Sequence, residues 1–298
     1  MAVAETMESR HAATLPREYS IRLADASAAP SARPRLGAPK TVASLAARMG
    51  PEFLVAEREG FLVASDLPAD AFEALVDGVL AYARAALLRD YFTVAARTPP
   101  DDVPPVTMYV FRDAASYEAN LLRHFRMTPV SPYGHYAHRQ RYLAVNGDTG
   151  PGTLVHEMIH SLMAIDFPEA PVWASEGIAS LYEQCRVEGG RLEGESNWRL
   201  PELRLALREG RLRPLAELFA LDAKSFRIGS ESLNYAHARY FCLYLEYCGL
   251  LRRVYADFRD HCAHDPSGRH FVEAACGQSL VEVDVDFRRW LDTREWEE

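Results

Sequence analysis

The sequence predicts an α+β protein, with a small sheet-plus-helix lobe over about 41–165 and a mainly helical lobe over about 166–298. Three observations carry this reading. Short β-branched and aromatic runs occur at 53–65, 106–111 and 141–146, all in the first half. After Gly152 the apolar residues recur mostly at helical three- and four-residue steps. No internal repeat relates the two halves, so the elements segregate rather than alternate.

Residues 1–40 are rich in Ala, Pro, Ser and Arg, with Pro30, Pro34 and Pro39, and predict a disordered tail. Structure is expected from about Val42. FLVAE (53–57) and FLVAS (61–65), joined by Arg58, Glu59 and Gly60, read as a β-hairpin, with Asp66 as the following turn or cap. From 69 to 92 the residues Phe72, Leu75, Val76, Val79, Leu80, Ala83 and Leu87 keep the period of an amphipathic helix, which stops at a Pro99-Pro100 loop. VTMYVF (106–111) suits a buried strand, and Asp113 can cap a helix reaching about Phe125. A loop marked by Pro129, Pro132 and Gly134 leads to a strand at 141–146, and Gly147, Gly150 and Gly152 break the chain before the next helix. Tyr133, His135, Tyr136 and His138 fall in that loop, where they either line a cleft or are exposed rings. Beyond it, helices are expected at about 173–185, 200–209, 214–220, 231–248, 250–262 and 281–294, with a small hairpin turning at Gly189-Gly190.

Composition excludes whole classes of function. With 33 Lys+Arg against 42 Asp+Glu, the net charge of −9 repels phosphate backbones, so no nucleic-acid partner is expected. No apolar run approaches the roughly eighteen residues of a membrane span. Residues 1–20 show no signal peptide, which points to the cytoplasm unless the N-terminus is trimmed. The 5 cysteines are an odd number without a CxxC pair, against both a disulfide framework and a thiolate metal site.

The chemistry sits in His156-Glu157-Met158-Ile159-His160, an H-E-x-x-H on an otherwise apolar helix. Residues four apart share a helix face, so both imidazoles can reach one ion, and zinc at about 2.0–2.1 Å from nitrogen suits that spacing. Glu157, about 100° further around the helix, can face a water beside the ion without becoming a ligand. A third ligand is expected from Trp173-Ala174-Ser175-Glu176-Gly177, because Asp166, Pro168 and Pro171 allow the chain to turn back and bring Glu176 opposite the histidines. The alternative for Glu176 is an acid in a first helical turn, capped by Ser175. Gly177, without a side chain, permits close helix approach.

These residues resemble the gluzincin metallopeptidases, in which H-E-x-x-H is completed by a glutamate on the following helix. The match is particularly to the peptidase-MA-like domains, including the bacterial DUF1570 family. Their pattern continues as P-x-W-x-x-E-G-x-A-x-x-Y, present here as Pro171, Trp173, Glu176, Gly177, Ala179 and Tyr182. The motif resemblance covers about 141–185 and, more loosely in element order, 52–262. Ala174 and Ser175 stand where relatives carry Leu-Asn. The resemblance implies a zincin-like fold, one zinc ion on His156, His160 and Glu176, Glu157 as general base, and hydrolysis of peptide bonds. It also implies an oxyanion donor on a later helix, for which Tyr235 is the first choice and His237 the second. A third implication is an edge strand before the metal helix, here Tyr142–Asn146, that pairs with an extended peptide or protein substrate. The G-x-M-E-N signature that M1 aminopeptidases use to hold a free amino terminus is missing, so an endopeptidase is the expectation. The rivals are a noncatalytic binding or scaffold protein that keeps the fold and its zinc, and a zinc hydrolase of nonpeptide amides.

Overall fold

The structure, a computed structural model, describes residues 39–98 and 105–296. The tail expected over 1–40, except its last two residues, and the Pro99-Pro100 loop lie outside them. α1 (Val42–Met49) opens on Thr41, which forms a capping box with Ser44. The hairpin follows as β1 (Leu54–Arg58) and β2 (Phe61–Ser65). Its turn residues Glu59 and Gly60 both have positive φ, 52° and 76°, the signature of a tight turn whose twist matches its strands.

The helical stretch after the hairpin is continuous from Ala69 to Asp90. α2 (Ala69–Glu73) and α3 (Ala81–Asp90) are joined by a π-helical segment, Ala74–Leu80, and α4 (Thr93–Arg97) follows a break at Tyr91-Phe92. β3 (Val106–Phe111) leads to α5 (Ala114–Asn120), capped by Asp113 as expected, with Oδ1 accepting from Ser116 N at 2.7 Å. A π turn over Leu121–Phe125 then ends at Arg126, φ 59°. β4 (Gly134–Ala137) and β5 (Tyr142–Asn146) complete a five-stranded sheet of order β1-β2-β3-β5-β4. Its central pairs, β2 with β3 and β3 with β5, are parallel, while β1 and β4 flank it antiparallel.

Every residue of β2 and β3 is buried. Because successive side chains point to opposite faces and both faces are covered, both runs are apolar except for Ser65 and Thr107. Phe61, Val63, Met108, Val110, Leu143 and Val145 point into the main core, while Leu62, Ala64, Tyr109, Phe111 and Ala144 meet α1 and α5 on the other face.

The rest is helical apart from one hairpin. α6 (Pro151–Asp166) and α7 (Val172–Leu181) precede the hairpin β6 (Cys185–Glu188) and β7 (Arg191–Gly194). Then come α8 (Leu200–Arg208), α9 (Leu215–Phe219), α10 (Ala223–Arg227) and α11 (Glu231–Tyr247). α12 (Leu251–His261), α13 (Arg269–Cys276) and α14 (Leu280–Thr293) close the chain. The helix expected over 173–185 stops at Leu181, because the chain turns at Tyr182 into β6. α1, α4, α10 and α13, each eight residues or fewer, carry too little periodicity to be read from sequence. Among the described residues no helix is long and apolar enough to cross a membrane.

Candidate metal centre

α6 starts where Gly150 adopts φ 82° and Pro151 occupies the first helical position, a pairing that ends the preceding loop sharply. The helix is buried along most of its length, including His156 and Glu157. His156 and His160, one turn apart, bring their Nε2 atoms within 3.0 Å of each other. α7 begins at Val172 with Pro171 before it and no side-chain cap, so Glu176 is the fifth helical residue rather than a capped first-turn acid. Its Oε2 lies 3.5 Å from His156 Nε2 and 3.3 Å from His160 Nε2.

The donor set fits a metal ion. Four ligands at about 2.0–2.1 Å around a tetrahedral ion stand about 3.3 Å from one another, and the three separations here are 3.0, 3.3 and 3.5 Å. Glu176 is 4% exposed, and its Oε2 makes no well-aligned hydrogen bond and meets only the two imidazole Nε2 atoms, so one oxygen and two ring nitrogens share a single buried point as the donors of one cation would. Among the described residues this is the one group of His, Cys, Asp or Glu side chains whose ligand atoms converge closely enough to hold an ion. The ligand set expected from sequence is therefore assembled; which ion it takes is a separate matter.

A second layer holds these groups. His156 Nδ1 is 2.9 Å from Glu183 Oε1, and Arg199 Nη1 donates to the other Glu183 oxygen at 2.6 Å. His160 Nδ1 lies 3.2 Å from the Ser175 hydroxyl, so Ser175 faces the site instead of capping α7. Arg227 Nη2 donates to Glu176 Oε1 at 2.9 Å. Carboxylate or hydroxyl partners of this kind orient imidazole ligands.

Electrostatics follow from the crowding. Burial opposes a charge on His156, but Glu176 and Glu183 outweigh it and pull its pKa up to about 10. Burial likewise raises Glu176, yet the two histidines prevail and hold it well below the usual carboxylate range. Glu157 moves the other way: burial raises it, and His156 and His160 only partly offset that. A carboxyl shifted toward neutrality beside this His-His-Glu group is suited to taking up and releasing a proton.

The two candidate oxyanion donors separate. Tyr235 and His237 lie two residues apart on α11, about 200° around it. Tyr235 faces the site: burial and then Glu176 raise its pKa, and the Arg227 charge opposes them. His237 is buried against Phe287 at 5.6 Å, neither ring nitrogen has a hydrogen-bond partner, and its charged neighbours are Arg288 and Arg213. The second choice is thus corrected, because helical geometry turns His237 into the core.

The strand expected to pair with substrate is also corrected. Tyr142–Asn146 is β5, hydrogen-bonded to β3 on one side and β4 on the other, so neither edge is free. The edge strand beside α6 is β4, which the sequence hides in a Pro- and Gly-marked loop because it is four residues long and opens on Gly134. The four rings of that segment divide. His135 turns under the sheet toward Tyr117 and Tyr142, whereas His138, just after β4, feels the charges of His160, Glu176 and Arg227.

Sequence reading missed Glu183 and Arg227. Glu183 had a signal only through the longer helix expected over 173–185, where it would share a face with Glu176; in the structure it lies in the turn after α7, which stops at Leu181. Arg227 had none, since only the tertiary fold brings α10 to α7. With the fold and site established as an α+β protein carrying a buried His-His-Glu group, comparison found no protein-family profile that matches the chain and no match among curated proteins.

Proposed function

We propose that this chain is a zinc-dependent metallopeptidase of gluzincin type with a zincin-like fold, hydrolysing peptide bonds of an extended peptide or protein. The observation that carries the reading is the convergence of His156 Nε2, His160 Nε2 and Glu176 Oε2, with buried Glu157 beside them. His156, His160 and Glu176 would hold the Zn²⁺, which would supply Lewis acidity toward a carbonyl and toward water near neutral pH. Glu157 is placed to take a proton from the attacking water as its oxygen bonds to the carbonyl carbon, and to pass that proton to the amine as the C–N bond breaks. The Tyr235 hydroxyl donates to the carbonyl oxygen as it gains charge. The β4 edge pairs with substrate backbone, which leaves side-chain preference to the surrounding surface.

The test is Glu157→Gln. Chelator-sensitive cleavage of a denatured-protein pool is expected from the wild-type chain and to fall about 10²–10⁴-fold in the variant, with zinc content unchanged. Equal cleavage by the two proteins removes the catalytic half of the reading. A wild-type chain that binds zinc but cleaves no peptide favours a scaffold or a nonpeptide amide substrate.

A further inference from the structure

We propose that Arg227 is a positioning residue of the metal site, claiming one oxygen of Glu176 so that this ligand offers an ion a single oxygen. The inference rests on the metal reading above and extends it to coordination number. Glu176 Oε1 accepts from Arg227 Nη2 at 2.9 Å, while Oε2, with no hydrogen bond, faces both imidazoles at 3.3 and 3.5 Å. The carboxylate is therefore divided between two partners, one oxygen each. Its side chain is 5% exposed against 45% for that of Arg227, so the pair is desolvated on the carboxylate side and is more than a screened surface contact.

The guanidinium is held from several directions. Nη1 donates to the Ala223 carbonyl at 3.5 Å while Nη2 donates to Glu176, and its charge interacts with Tyr235. Its backbone belongs to α10, a short helix started by Asp222, whose carboxylate accepts from Ser225 N at 2.6 Å. Phe226, fully buried, fixes the other side: Asn234 Nδ2 on α11 donates to its carbonyl at 2.7 Å, and its ring packs edge-on to Tyr235 at 5.2 Å. Arginine suits the role because its planar fork can hold an oxygen in a fixed direction while its other donors reach a second group.

Denticity has a measurable consequence. A one-oxygen carboxylate with two imidazoles favours a small ion of low coordination number that keeps an open position. Freeing the second oxygen favours larger ions that collect more oxygen ligands. The ratio of Zn²⁺ to Mn²⁺ affinity reads this directly, because losing the Arg227 charge acts on both dications alike.

The full chain would be stripped of metal and titrated with Zn²⁺ and Mn²⁺ against a chelating dye, as wild type, Arg227→Met and Arg227→Lys. Co²⁺ would be added separately to record its visible absorption. In Arg227→Met the Zn²⁺:Mn²⁺ ratio is expected to fall about tenfold, the scale of losing a group that orients a ligand. Its Co²⁺ band should weaken about twofold as coordination rises, and Arg227→Lys should recover part of both. An Arg227→Met protein with the wild-type ratio and spectrum overturns the proposal, as does an equal loss in Arg227→Lys. If circular dichroism shows Arg227→Met unfolded, Arg227→Gln takes its place under the same criteria. A wild-type chain that binds neither ion one-to-one removes the metal reading, and this proposal with it; a wild-type chain that binds while the variants match it removes this proposal alone.

Discussion

Two imidazoles four residues apart are a weak metal site until something fixes their rings, and here the fixing group on His156 is Glu183. Its oxygen at 2.9 Å from Nδ1 sets which nitrogen faces inward, and Arg199 at 2.6 Å holds that carboxylate in turn. Glu183→Ala is expected to lower metal affinity about 10–100-fold, measured by calorimetric titration, with the helical content unchanged. On α11, Tyr235→Phe should reduce turnover about 10²–10³-fold at unchanged metal content, whereas His237→Phe should leave turnover intact. His237 instead governs acid stability. Burial, with Arg288 and Arg213 nearby, pushes its pKa down to about 3 from the ordinary imidazole value of about 6.5. Between those values the unfolded chain holds a proton that the native chain does not, so its contribution to stability is lost as pH falls below about 6.5. The gap in unfolding free energy between His237→Phe and wild type should therefore widen by about 1.4 kcal/mol per pH unit on acidification and stay level above about pH 7. Urea melts at several pH values measure it, and a constant gap from pH 7 to 4 would contradict it.

Helix contacts decide whether those residues meet. α7 crosses α11 at Gly177, where an added Cβ would stand 2.7 Å from Cys242 Sγ and 2.9 Å from the Ala238 carbonyl oxygen. Close approach at Gly177 is legible in the sequence; that α11 is the partner is not. At the start of α6, Gly152 lies against the backbone of Glu183, and an added Cβ would overlap that carbonyl oxygen. Gly152→Ala must push the two segments apart, which moves Glu183 away from His156. Overpacking of this kind costs about 1–3 kcal/mol, and a drop in metal affinity together with a lower urea midpoint is the expected result. Loss of stability without loss of affinity would show that Glu183 tolerates the shift. β4 shows the same limit on local reading. Its four residues carry too little pattern, and they become a strand only because β5 supplies a partner in register.

Across the whole molecule, Asp166 joins elements that are distant in sequence. Its side chain, fully buried at the end of α6, accepts from the backbone N–H groups of Val94 and Ala95 at 2.7 and 2.9 Å, where α4 begins. It also receives the Tyr255 hydroxyl at 3.0 Å and Arg259 Nη1 at 3.1 Å from α12. One carboxylate thus ties the first half of the chain to its C-terminal helices. Asp166→Ala takes an acceptor from two backbone N–H groups and from Tyr255, while Arg259 keeps Asp260 at 2.8 Å, and should cost about 1–3 kcal/mol, read as a lower thermal midpoint. Unchanged stability would show that solvent takes over those contacts. From the sequence alone Asp166 looks like a chain breaker before Pro168, and nothing local reveals four donors converging on it.

By itself the sequence determined the features whose physics is local: the short apolar runs of β2 and β3, the cap at Asp113, and the four-residue spacing that puts His156 and His160 on one face of α6. It also supplied Glu176, because the break between α6 and α7 is short enough for the second helix to have few places to go. Tertiary structure alone decided which strand became the sheet edge, which face of α11 met the site, and that Arg227 and Glu183 would hold the ligands. The reason is one of range. Periodicity and capping are written in neighbouring residues, whereas the partner of a buried charge is chosen by how helices far apart in the chain pack around it.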